Sequence, residues 1–242
     1  MTEPQIILGG DVGRHNSDFD GARTRLAKGG TYKDLSTVCI VPTRGQIPAL
    51  VVEAWMGLMT PMNQKFVRLF VSGMEVGAAY SAAIEMILGH PELSRWKYVL
   101  TLEEDNVPPP DGLLRLYEAI EGSDYDAVGG LYWTKGEEGQ PMIYGDPGEP
   151  LNFVPQMPKP ESVQECYGLG MGFTLFRLEL FRDERLGRPL FETVQRFDPV
   201  TGVQAYTQDL HFFERARKLG HRVACDTRVR VGHFDPTTGI VW

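Results

Sequence analysis

The chain has 242 residues, 42% of them apolar, which is enough for one large α/β domain with a sizeable core. Lys and Arg number 24 against 32 Asp and Glu, and the net charge of −8 works against general electrostatic capture of nucleic acid. Three widely spaced cysteines (Cys39, Cys166, Cys225) with no CxxC pair, no basic and apolar leader and no apolar run of bilayer length lead us to expect a soluble, cytoplasmic protein.

Residues 1–36 are rich in Gly, Asp and Arg with weak periodicity, and are expected to form an irregular N-terminal extension. From Thr37 the pattern sharpens. TVCIV (37–41) reads as a strand, and ALVVEAWMGLM after Pro48 as a helix. The unit recurs as KFVRLFVSG (65–73) with EVGAAYSAAIEMIL (75–88), then as KYVLTL (97–102) with DGLLRLYEAIE (111–121), where Asp111 can cap the helix. Three strand–helix units predict a mostly parallel sheet flanked by helices on both faces. Beyond Asp126 come AVGGLYWTKG (127–136), a Pro/Gly-rich stretch (139–160) and ECYGLGMGFTLFRLELF (165–181), expected as short strands joined by loops. TQDLHFFERARKLG (207–220) reads as a helix stopped by Gly220, followed by the strand-like HRVACDTRVRVGHF.

In such a sheet, ligands bind beyond the carboxyl ends of the strands. That rim carries Pro42-Thr43-Arg44, Ser72-Gly73 and the run Glu103-Glu104-Asp105. Three adjacent carboxylates raise one another's pKa, and a divalent metal is the usual remedy. Alternation along an extended chain lets Glu103 and Asp105 face the rim together while Glu104 turns aside. One or two oxygen ligands leave positions that a diphosphate could fill. The competing reading is a solvated acidic turn stiffened by Pro108-Pro109-Pro110.

A strand ending in an acidic triplet and followed by PPPDGLLRL resembles the D-x-D-like metal motif of GT-A glycosyltransferases, particularly the family 2-like, phage-type group. The likeness runs over roughly residues 37–234. VPTRG (41–45), GGLYWTKG (129–136), GLGMGFTLFRLELF (168–181) and TQDLHFFERARKLGHRVACDTRVRVGH (207–233) follow in the family's order. The resemblance implies a GT-A domain over 37–242, with a nucleotide-binding half (37–126) and an acceptor and catalytic half (127–242). It further implies Mn²⁺ or Mg²⁺ held by Asp105, Glu103 and His233, and a nucleotide diphosphate sugar contacted by Pro42, Thr43, Arg44, Gly73, Glu103 and Glu104. Asp209 would be the base for an acceptor hydroxyl, with Gln208 in place of the usual glutamate beside it. Trp133 and Lys135 would meet the acceptor, and Gly170, Met171 and Gly172 would let backbone approach the sugar.

Each role has a plainer counterpart. Asp209 in a first helical turn is favoured by the helix dipole, His233 can be a structural histidine, and Trp133 can simply be half-buried. Tyr80, where relatives often carry arginine, can stack on a base or fill the core. GLGMG lacks the GxGxxG spacing, and HExxH, GxSxG and GxxxxGK[ST] are absent. The rival functions are a nucleotidyltransferase on a related fold and a catalytically silent nucleotide-sugar-binding module. The acceptor can be a glycan, a metabolite, a protein side chain or a modified base of phage DNA.

Overall fold

The computed structural model describes residues 33–198 and 202–242. Most of the expected extension, and with it the reading of residues 1–32, lies outside that range. The β-branched run Thr37–Thr43 forms β1, and its side chains alternate across the sheet as an extended chain requires. Val38 and Ile40 enter one apolar layer, while Cys39 and Val41 enter the other. A strand buried on both faces in this way needs helices on both sides.

Those helices follow at once. Ala49–Gly57 is α1, Phe66–Ser72 is β2 and Val76–Gly89 is α2. Next come Tyr98–Leu102 as β3, Asn106–Val107 as the short β4 and Gly112–Glu121 as α3. Asp111 stands at the N-cap position of α3 but does not make the expected cap. Its backbone lies near φ −92°, ψ 2°, and its carboxylate accepts from Arg115 Nε at 2.7 Å instead. The second half adds Ala127–Leu131 (β5), Ile143–Tyr144 (β6), Val163–Cys166 (β7), Gly168–Leu169 (β8) and Phe173–Arg177 (β9). A hairpin of Val194–Asp198 (β10) and Gly202–Tyr206 (β11) precedes the helix Gln208–Lys218 (α4), and Val223–Arg230 (β12) and Gly232–His233 (β13) close the fold.

Seven strands form the central sheet in the order β2-β1-β3-β9-β5-β12-β7. β2, β1, β3, β5 and β12 share one direction, and β9 and β7 run against them. The carboxyl ends of the five therefore open on a single rim, as do the start of β9 and the first turn of α4. Beneath the sheet on the α2 and α4 side, Phe176, Phe181, Phe191, Phe212 and Phe213 pack together, with Phe191 and Phe212 stacked at 4.4 Å between centroids. Each such fully buried ring contributes about 1.5–3 kcal/mol. Leu113, Leu116 and Ile120 of α3 pack with Leu50 and Val51 of α1 on the opposite face. The rim thus stands on a two-sided core.

Candidate active site

The acidic run leaves β3 through a turn and not as a continued strand, because Asn106 N donates to Glu103 O at 3.0 Å. Alternation ends there, and each carboxylate finds different company. Glu104 is buried against the β1 loop, where its Oε2 accepts from Thr43 Oγ1 at 2.7 Å and Arg44 N at 2.9 Å, and its Oε1 pairs with Arg44 Nε. Burial raises its pKa, but these hydrogen bonds outweigh burial and hold it below the usual value. Pro42 is buried, and the Arg44 side chain is 79% exposed at the mouth of the rim. Gly73, beyond β2, has φ +77° with open space around it.

Glu103 lies beside Tyr80, whose hydroxyl donates to Oε1 at 3.3 Å. Burial, followed by the charges of Asp105 and Asp209, pushes its carboxyl up to about 8. Tyr80 itself is fully enclosed, so of its two readings the core one holds, with the addition of this hydroxyl contact.

Asp105 meets two groups from the far half of the chain. Lys135 Nζ donates to its Oδ2 at 2.6 Å, and His233 Nε2 lies 3.5 Å from the same oxygen. Burial disfavours the Asp105 charge, yet hydrogen bonding and charge from His233 and Lys135 prevail and hold it at about 2. The histidine arrives because β13 pairs with β4, setting His233 opposite Asn106, while Phe234 N donates to Asp105 O at 2.7 Å. Gly232 permits this closure, since a Cβ there would stand 2.4 Å from Val241 Cγ1. His233 Nδ1 is 2.8 Å from Trp133 O, a hydrogen bond that requires the proton on Nδ1. Nε2 then faces Asp105. An imidazole fixed through its other nitrogen by a carbonyl is the usual arrangement of a metal ligand.

This set corrects one expectation. Among the described residues no group of three His, Cys, Asp or Glu is arranged to hold a metal. Asp105 and His233 fit a dication as one oxygen and one nitrogen ligand, with remaining positions for water and phosphate. Glu103 is diverted to Tyr80 by the turn that follows it.

Asp209 is buried in the first turn of α4, where its Oδ1 accepts from Leu210 N at 2.9 Å, and burial raises its pKa. Gln208, half-buried beside it, faces Gly77 of α2. Gly170, Met171 and Gly172 also depart from expectation, for they are closed off from solvent. A Cβ at Gly170 would lie 2.0 Å from the Tyr132 hydroxyl, and one at Gly172 2.4 Å from Asn106 Oδ1. These glycines make room for protein side chains, leaving no open backbone for a sugar to approach. Tyr132 was not singled out from the sequence. Its hydroxyl accepts from Gly172 N at 2.9 Å, and its ring meets His233 edge-on at 5.5 Å. Trp133 is half-buried and lines a cavity of about 730 Å³ with Arg230, Val231, Gly232, Val241 and Trp242. Neither Asp105 nor Asp209 lines that cavity.

No family model matches the chain, and no curated protein matches it. Among solved structures, A197 from STIV superposes with a TM-score of 0.59 at 21% identity, covering 83% of this chain and 86% of that one. GalNAc-T7 with UDP, GalNAc and Mn²⁺ superposes with a TM-score of 0.54 at 11% identity, covering 84% of this chain. The chain spans 44% of the length of that GalNAc-T7 chain. These likenesses establish a GT-A-type fold. Among the described residues, no helix is long and apolar enough to cross a membrane.

Proposed function

We propose that the protein is a metal-dependent glycosyltransferase of the GT-A type, family 2-like, moving a sugar from a nucleotide diphosphate sugar to an acceptor hydroxyl. The observation that carries this reading is the facing pair Asp105 Oδ2 and His233 Nε2, 3.5 Å apart on the ligand-binding rim, with the imidazole pinned through Nδ1. The bound UDP and Mn²⁺ of GalNAc-T7, on a similar fold, support the choice of donor class and metal.

Asp105 and His233 would hold Mn²⁺ or Mg²⁺, which supplies positive charge to the diphosphate as it leaves. Residues 37–126 carry the nucleotide, with Thr43 and Arg44 at the base and diphosphate and Gly73 beside them. Glu104 serves them from behind by fixing the loop. Glu103, protonated near neutrality, donates to a ribose hydroxyl. Residues 127–242 carry the acceptor side, where Asp209 takes the acceptor proton. Its burial makes the charged form a stronger base than an ordinary carboxylate, which matches the task.

The test is a thermal-shift screen of nucleotide sugars with and without Mn²⁺, followed by product analysis. A metal-dependent rise in midpoint and release of nucleoside diphosphate are expected. Pyrophosphate release instead would identify a nucleotidyltransferase, and binding without turnover against any acceptor a silent module.

A further inference from the structure

Lys135 reaches Asp105 from a loop beyond β5, not from the sheet. The loop is closed by Thr134 N donating to Gln140 O at 2.9 Å and Gly139 N to Gly136 O at 3.1 Å, and Lys135 lies between these ties. Its side chain is 30% exposed while that of Asp105 is 19% exposed, so the ammonium approaches from the solvent side. It takes Oδ2, the same oxygen that faces His233 Nε2. The two neighbours differ in how easily they leave. His233 is held by Trp133 O and by backbone pairing on both sides of its strand, whereas Lys135 is a compact cation on a four-carbon stem. Arg44, another cation of this rim, is engaged by Glu104 through its backbone and its guanidinium.

We infer that Lys135 is a resident cation that a dication must displace from Asp105, and that the displaced ammonium passes to a phosphate oxygen of the donor. This rests on the function proposed above and goes beyond it, because it makes metal and diphosphate bind in concert. Metal alone must break the Lys135 pair with no return. With diphosphate present the ammonium regains an anionic partner, so each ligand raises the affinity of the other by the same factor.

The experiment measures Mn²⁺ binding through the electron paramagnetic resonance of the free aquo ion, alone and with UDP or GDP, correcting for Mn²⁺–nucleotide complexes in solution. Lys135→Met is expected to bind Mn²⁺ alone about tenfold more tightly than the wild type and to lose the gain from diphosphate. Lys135→Arg keeps the weak binding and the gain, and Asp105→Asn abolishes binding in both settings. Cooperative thermal melts show that the variants are folded. Unchanged or weaker Mn²⁺ affinity in Lys135→Met overturns the displacement and leaves the metal-dependent reading standing. Tighter binding with the diphosphate gain intact overturns the transfer to phosphate. Absence of Mn²⁺ binding in the wild type and in Lys135→Met, with or without nucleotide, overturns this inference and the metal-dependent reading together.

Discussion

Glu104 and Asp105 are adjacent in the chain, yet they sit in two different electrostatic regions of the rim. The Glu104 corner is solvated by a hydroxyl, a backbone N–H and a guanidinium of one short loop. The Asp105 corner relies on a lysine and a histidine from the far half of the chain. Oriented local dipoles satisfy a carboxylate permanently, because they cannot move away without unfolding the loop. Separate side chains satisfy it conditionally. The first corner is therefore a fixed pair, and the second suits the exchange of cations inferred above.

That contrast can be broken by mutation. Asp105→Asn should lower kcat/KM for donor turnover about 10³-fold, with little change in the urea midpoint; a stability loss of equal weight would erase the distinction between the corners. Asp209→Asn should lower kcat about 10²-fold while donor affinity stays. Because burial raises its pKa, the acid limb of the pH–rate profile should lie above the ordinary carboxylate range and vanish in the variant. Glu104→Gln should do the reverse of Asp105→Asn, costing about 1–3 kcal/mol in urea unfolding and little in metal affinity. The folded pKa of Glu104 is lowered, so its contribution is present above its unfolded pKa and is lost as pH falls through the folded value. Glu103 responds to pH in the opposite sense, its carboxyl rising from 4.5 to about 8 on folding. Between those values the folded state binds more protons than the unfolded state, so stability falls as pH rises. Urea melts of metal-free Glu103→Gln across pH 5–8 should show that decline flattened.

Much of this was legible in advance. The runs TVCIV, KFVRLFVSG and KYVLTL marked β1, β2 and β3, and the helical stretches that follow them predicted parallel strands with one ligand-binding rim. Glu104 parts from Asp105 through the turn after β3 and not through alternation, and its partners Thr43 and Arg44 were not readable, because they meet it across the sheet. Alternation misled at Glu103, where a turn of four residues reset the direction of the side chains. The Lys135 contact was hidden for another reason. It depends on β9 entering the sheet against its neighbours between β3 and β5, which sets how far the β5 loop stands from Asp105. The end of GGLYWTKG at a strand terminus was the available signal, since it put Lys135 on the same rim.

The pairing of β4 with β13 joins positions separated by more than half the chain. During synthesis, Asp105 would leave the ribosome long before its imidazole partner exists, and only the docking of the final strand unites them. A loop of that span closes slowly and late. On the function proposed above, a metal centre would be complete only after that docking, and an immature chain would lack it.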